Sequence, residues 1–279
     1  MSSTSDGPGR LGSLVAPARR TAMSVSKRVW AEALWARVAA RRATGQRLGR
    51  GAPTRPPRGT SSGVLQNEAE WAAATAELRA LGLPRHPDGS KNWDTCGALA
   101  AVLSQTTPDA RVLDAGAARY STFLPALRLY GYANLVGTNL EFSRRVHYGP
   151  VEFEYDDVER SHFADASFDA IACLSVIEHG VDVDRYLSEA ARLLKPGGVL
   201  VTSTDYWCEA VDTTGKTAYG TQVRIFTRAD IEQLLNRAHE LGLEPLDGPP
   251  ELECDQRAVR WKRLDLRYTY VLLTLVRKG

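Results

Sequence analysis

Several things are scarce or missing in this chain. No apolar run is long enough to span a bilayer, and no apolar segment near the start has the form of a secretory leader. There are only four cysteines, Cys96, Cys173, Cys208 and Cys254, with no Cys-x-x-Cys pair. That argues against a disulfide framework and a zinc site and predicts a reduced, cytoplasmic protein; no residue is assigned as a metal ligand, and a divalent-metal requirement stays open. Basic residues do not predominate outside the first sixty positions. Those sixty hold twelve Lys or Arg against two acids, Asp6 and Glu32, whereas the whole chain has 35 basic and 33 acidic residues. The remainder is therefore mildly acidic, which argues against a nucleic-acid groove. No tyrosine is followed by a lysine four residues on, as in many sugar-modifying nicotinamide enzymes. The glycine turn at Gly116 has Ala118 and Tyr120 where a dinucleotide fingerprint places further glycines. A pyrophosphate needs bare backbone there, so a nicotinamide-dependent oxidoreductase or epimerase is disfavoured.

What is present fits one α/β domain with an N-terminal extension. Residues 1–63 form a basic, largely disordered extension by composition, rich in Gly, Pro, Ser, Thr and Arg. Within it, positions 22–42 predict a helix with one apolar stripe, Val25, Val29, Trp30, Leu34 and Val38, flanked by Lys27, Arg28, Arg37, Arg41 and Arg42. Such a helix suits an anionic membrane surface or a protein partner, so a membrane-peripheral location stays open beside a plain cytoplasmic one. Its composition is also that of a transit peptide or of an unselected extension. Residues 64–279 form the domain, with a helical cover over 64–104 and a sheet-containing core over 105–279. The cover predicts a helix over 64–81 and a second helix capped by Asp94 and running to Leu103.

The core opens with Arg111-Val-Leu-Asp-Ala-Gly116, a buried strand that ends in an acid and a tight turn. A helix over 121–130 follows, then strands over 134–138, 151–155, 168–174 and 199–204, with a helix over 184–194 closed by Lys-Pro-Gly-Gly. Thr227 and Asp230 predict a capped helix over 228–241, and two closing strands follow, over 244–254 and 267–276. In open sheets of this kind ligands bind beyond the carboxyl ends of the strands. Asp114, Asn139, Asp157 and the run Ser175-Val-Ile-Glu178-His179 all fall there. An amide at Asn139 can exchange two hydrogen bonds with ribose hydroxyls, or simply hold a turn. A carboxylate at Asp157 can accept from an adenine amino group. His179 has a suitable pKa range for a general base, with Glu178 to orient it and Asp205 as the alternative base. Equally, the His and Glu can be structural caps of the turn. Tyr206, Trp207 and Tyr219 offer apolar faces to a sugar ring, or pack the edge of the core.

Val112-Leu-Asp-Ala-Gly116, the Asn139 region, Asp157, Ser167-Phe-Asp169, Ser175-to-His179 and Leu193-Leu-Lys-Pro-Gly-Gly198 follow one another in the order and spacing of class I methyltransferase motifs. Residues of about 90–277 thus resemble the class I S-adenosylmethionine-dependent methyltransferases, of the type 11 kind. The Lys91-Asn-Trp-Asp94 and Gly137-Thr-Asn-Leu140 segments are similar to a bacterial subgroup associated with surface-glycan and natural-product gene neighbourhoods. The resemblance implies a Rossmann-like sheet of six parallel strands and one antiparallel strand, the last hairpin inserting it. It assigns Asp114, Ala115 and Gly116 to the methionine end of S-adenosylmethionine, with Ser175 in the same cleft. Asn139 and Leu140 go to ribose, and Asp157 and Val158 to adenine. It implies methyl transfer to a sugar or small-molecule hydroxyl; a non-catalytic binding protein with a degenerate cofactor site is the competing expectation.

Overall fold

In the computed structural model, which describes residues 25–47 and 53–279, the apolar runs assemble into one mixed sheet. Its parallel part contains β2 (Arg111–Ala115), β3 (Asn134–Thr138), β5 (Val151–Glu154), β6 (Phe168–Leu174) and β7 (Leu194–Tyr206). They lie in the order β7-β6-β2-β3-β5. The long last strand, β12 (Leu266–Arg277), runs antiparallel to β7, and β10 (Leu243–Pro245) pairs with its far side. Since β10 is antiparallel to β12, it runs parallel to β7. The six-plus-one sheet is therefore as expected, with β4 (Val146–Tyr148) and β1 (Gly63–Val64) added on its margins.

Both faces of the sheet are covered, which is why its strands are apolar on alternate and successive positions alike. On one face pack α3 (Lys91–Gln105), α4 (Phe123–Leu129) and α2 (Glu68–Ala80), around Leu99, Val112, Phe123, Leu127 and Tyr270. On the other pack α5 (Val183–Leu193) and α6 (Arg228–Glu240), around Leu113, Ile171, Tyr186, Leu200 and Leu234. The capping box predicted for α6 is present: Thr227 N–H donates to Asp230 at 2.8 Å, and Asp230 N–H donates to the Thr227 hydroxyl at 3.2 Å.

Four boundaries differ from those the sequence predicts. Residues 63–64 pair with β12 rather than starting a helix, because Asn67 caps α2 by accepting from Glu70 N–H at 3.2 Å. α3 begins at Lys91, so Asp94 lies inside its first turn instead of capping it. The strand at 199–204 extends from Leu194 to Tyr206, a register shift at Phe168/Ala170 accommodating the Pro-Gly-Gly segment. The closing strand expected over 244–254 is only Leu243–Pro245, and a short strand, β11 (Val259–Trp261), forms a hairpin with β12 instead.

The N-terminal helix α1 (Val25–Arg47) exists, and the C-terminal part of its predicted stripe, Leu34 and Val38, is buried, with Ala31 and Trp35 added to it. Val25 and Val29 are exposed, while Ala31, Leu34, Trp35 and Val38 are buried. Positions 22–24 of the predicted helix lie outside the described residues. Trp35 stacks on Tyr148 at 5.0 Å and donates from its indole to Arg119 O at 3.0 Å. Two of the flanking arginines serve the same docking: Arg41 donates to Leu81 O and Arg42 to Arg128 O, carbonyls at the C-terminal ends of α2 and α4. The extension thus contributes to the domain's own core, and residues 53–62 also lie against it, with Gly59 on Cys96 and Arg55 paired to Glu77. No described helix is long and apolar enough to cross a membrane.

Candidate functional site

The carboxyl ends of β2, β6 and β7 converge with the first turn of α3, and four acids meet there. Asp114 ends β2, Glu178 follows β6, Asp205 lies near the end of β7, and Asp94 enters from α3; all are buried. The turn after β2 requires Gly116: its φ is +88°, and a Cβ there would sit 2.4 Å from Val176 Cγ2. That contact brings the turn against the Ser175-to-His179 segment. Ser175 itself has φ +54°, a conformation costly for a non-glycine residue, which the surrounding bonds hold.

Those bonds form a network around Asp94. Its Oδ2 accepts from Ser203 Oγ at 2.9 Å and from Ser175 Oγ at 3.3 Å, and its Oδ1 accepts from Thr95 N–H at 2.7 Å. Glu178 Oε2 accepts from Thr204 Oγ1 at 3.1 Å. By contrast, Asp114 Oδ2 and Asp205 Oδ1 are buried with no hydrogen-bond partner among the described residues. Lys91, one turn before Asp94 on the same face of α3, holds its ammonium 4.5 Å from the Tyr270 ring centroid. Tyr270 is the register partner of Asp205.

The charges follow from this crowding. Burial, reinforced by the nearby Asp94, pushes Asp114 up to about 7. Burial and the neighbouring Glu178 carry Asp205 well above the ordinary carboxylate range, with Lys91 opposing. Glu178 and Asp94 are also raised by burial and held back by Lys91. Burial alone would lower the Lys91 ammonium, but Asp205, Glu178 and Asp94 together raise it. His179 moves the other way: burial, then Lys91, lower it to about 4. Its imidazole is thus neutral at physiological pH. Its Nε2 is 3.9 Å from Glu178 Oε1, its Nδ1 has no partner among the described residues, and the exposed Tyr219 ring covers it at 4.7 Å.

On the β3 and β5 side the polar groups are already bonded. Asn139 donates from Nδ2 to Gly116 O at 2.9 Å and accepts from Glu141 N–H at 3.1 Å, so its amide ties two strand ends together. The predicted ribose amide is therefore bonded within the frame, with acceptor capacity left on its oxygen. Asp157 accepts from Glu159 N–H at 2.9 Å. A small cavity of about 10 Å³ lies on this side, between Ala115, Thr138, Asp156, Asp157 and Val158 and the core residues Ile171 and Tyr186, and Leu140 is partly exposed beside Asn139.

Of the three aromatics expected to face an acceptor, only Tyr219 is brought to His179. Tyr206 is completely buried, and its hydroxyl donates to Leu252 O at 2.6 Å; it is a core residue because it lies within β7 rather than after it. Trp207 packs at the margin of the core with the Arg257 guanidinium 4.5 Å from its ring. Sequence reasoning missed Lys91 and Ser203 and gave Asp94 the wrong role. A signal was available: Lys91 and Asp94 stand three apart on a helix that is otherwise nearly all apolar or small.

Residues 113–202 match the family model described as a methyltransferase domain. An arsenite methyltransferase of Aquipseudomonas alcaligenes is 29% identical over 168 residues, 51% of this chain and 48% of that protein. The chain thus spans about half the length of that curated relative. Among solved structures, the geranyl diphosphate C-methyltransferase of Streptomyces coelicolor A3(2) is 17% identical, with a TM-score of 0.48, covering 79% of this chain and 91% of that one. An S-adenosylmethionine-dependent methyltransferase from Mesorhizobium loti is 16% identical, with a TM-score of 0.45, covering 68% and 99%. The stretch that carries Asp114, Asn139, Asp157, Ser175, Glu178 and His179 is thus the one that is similar to a methyltransferase domain.

Proposed function

We propose that this protein is an S-adenosylmethionine-dependent methyltransferase acting on a hydroxyl oxygen of a sugar or other small molecule. The observation that carries the reading is the orphaned Asp114 carboxylate oxygen beside the Gly116 turn, inside the matched methyltransferase segment. A ligand bearing an ammonium and a sulfonium suits that oxygen and the acids gathered around it. The cofactor's methionine end would lie against Asp114, Ala115, Gly116 and Ser175, its ribose near Asn139 and Leu140, and its adenine beside Asp157 and Val158. Bound there, it supplies a methyl group on a positively charged leaving group.

The chain's own part is alignment and proton removal. An alkyl hydroxyl is a weak acid, so a base must take its proton as the oxygen reacts. Asp205 is the better base of the two considered. Its Oδ1 has no partner among the described residues, and its raised affinity for a proton suits the task, whereas His179, lowered to about 4, holds a proton poorly. Lys91 keeps Asp205 ionisable in a buried setting. His179 and Tyr219 then form the wall of the acceptor site.

Calorimetric titration of S-adenosylmethionine and S-adenosylhomocysteine into the full chain tests the reading. Micromolar binding, lost at least a hundredfold in Asp114→Ala, is the expected result. No binding by the unaltered protein overturns it in favour of a non-catalytic role.

A further inference from the structure

Two of the four cysteines, far apart in sequence, meet in the fold. Cys208 lies two residues beyond β7, and Cys254 lies in the connection between β10 and β11. Both are free thiols, with their Sγ atoms 3.7 Å apart, and Cys208 Sγ also lies 3.6 Å from Cys254 O. The two segments are fastened on either side of the pair. Tyr206 donates to Leu252 O at 2.6 Å, two residues before each cysteine. Arg228 pairs with Glu253 at 2.5 Å while its own N–H donates to Cys208 O at 3.4 Å. A disulfide bond is about 2.05 Å long, so the sulfurs must close by roughly 1.7 Å, which side-chain rotation on a backbone already held in place can supply.

The remaining thiols differ. Cys96 and Cys173 are fully buried, and neither has a thiol neighbour among the described residues. Cys208 is half-buried, so a small oxidant reaches it first. Cys254 is more deeply placed, and burial together with its hydrogen bond to Cys208 pushes its thiol up to about 12.

We propose that Cys208 and Cys254 are a modification site at which hydrogen peroxide forms a reversible disulfide, tying the 246–258 connection to the end of β7 that carries Asp205 and Trp207. In the first step the Cys208 sulfur, deprotonated, attacks one peroxide oxygen. The O–O bond breaks, Cys208 becomes a sulfenic acid, and the other oxygen leaves as water with the thiol's proton. In the second, the Cys254 sulfur attacks the Cys208 sulfur, the S–O bond breaks, and the oxygen leaves as a second water with the Cys254 proton. Two thiols and one peroxide give one disulfide and two waters. The sulfurs lose two electrons and the peroxide gains them. A small dithiol reverses the modification by exchange.

The test uses the full chain treated with graded hydrogen peroxide, denatured, alkylated and weighed intact. The expected result is a loss of 2 Da with two thiols protected from alkylation, a cross-linked 208–254 peptide on digestion, and recovery with dithiothreitol. Cys208→Ser and Cys254→Ser each abolish the 2 Da loss. Oxidation raises the Tm of the unaltered protein by several degrees and leaves that of Cys254→Ser unmoved, since the bond closes a long loop. A gain of 32 Da at Cys208 with Cys254 still alkylated overturns the proposal. So does a cross-link that includes Cys96 or Cys173, or an unchanged mass at peroxide levels that oxidise an exposed model thiol.

Discussion

The two halves of the strand-end edge are built differently. Toward β3 and β5, Asn139, Asp156 and Asp157 have their polar groups bonded to backbone and side chains of the same chain. Toward β2, β6 and β7, Asp114 and Asp205 each keep a buried oxygen without a partner among the described residues, and His179 keeps a ring nitrogen so. A satisfied group shapes a surface; an orphaned buried group costs stability and is poised for a ligand. In the first half the polar groups hold one another in place; in the second, two acids and a histidine are left with capacity for a ligand.

The sharpest way to break that contrast is to remove the orphaned base. Asp205→Asn should lower kcat by about a hundred- to ten-thousandfold while leaving the cofactor's Kd nearly unchanged, and His179→Ala should cost less than about tenfold. Steady-state kinetics with any acceptor that turns over decides between them. The pH profile of kcat adds a second reading. With Asp205 as base its acid limb lies above the ordinary carboxylate range; a limb near pH 4 would return the role to His179.

Asp114 sharpens the comparison through stability. Its folded-state pKa of about 7 lies above the 3.8 of an ordinary aspartate, so the native state holds the proton longer than the unfolded chain does. The native state is therefore penalised progressively as pH rises from about 4 to about 7, and by a constant amount above that. Asp114→Asn removes the penalty. It should stabilise the protein by about 4 kcal/mol at pH 8, since each tenfold difference in proton affinity between the folded and unfolded states is worth about 1.4 kcal/mol, and by almost nothing at pH 4. Denaturant melts at the two pH values check this; an equal gain at both would mean that the carboxylate is not strained by burial.

The frame should respond to packing instead of charge. Trp35→Ala, which removes the indole between Tyr148 and Arg119 O, should cost about 3 kcal/mol. Hydrogen exchange should show the loss concentrated in α1 while β2 stays protected. Thr227→Ala should cost only about 1 kcal/mol, read as a small fall in denaturation midpoint, because it removes one helix cap far from the unpaired acids.

Much of the fold was legible because parallel strands buried on both faces are continuous apolar runs, as at 111–115 and 168–174, and because helix caps such as Thr227 with Asp230 are local. The candidate site was legible only where a residue's place is fixed by its own strand end, as with Asp114, Glu178, His179 and Asp205. Asn139 was recognisable as a strand-end residue, but its bond to Gly116 O depends on where β2 ends beside β3. Tyr206 was not recognisable as core, because the extent of β7 depends on pairing with β12. Val25 and Val29 share the helical spacing of the docking face of α1 yet are exposed, because the domain covers only the part of the helix that carries Ala31, Leu34, Trp35 and Val38.

The sequence by itself determined the order of strands and helices, the glycine turn and the acids at the strand ends, since each rests on local backbone preference and hydrophobic period. Tertiary structure alone decided that Lys91 and Asp94 join Glu178 and Asp205, that α1 completes the core, and that Cys208 meets Cys254. The reason is physical: these relations depend on how distant segments cross in space, and the burial that moves the charges exists only once those segments have packed.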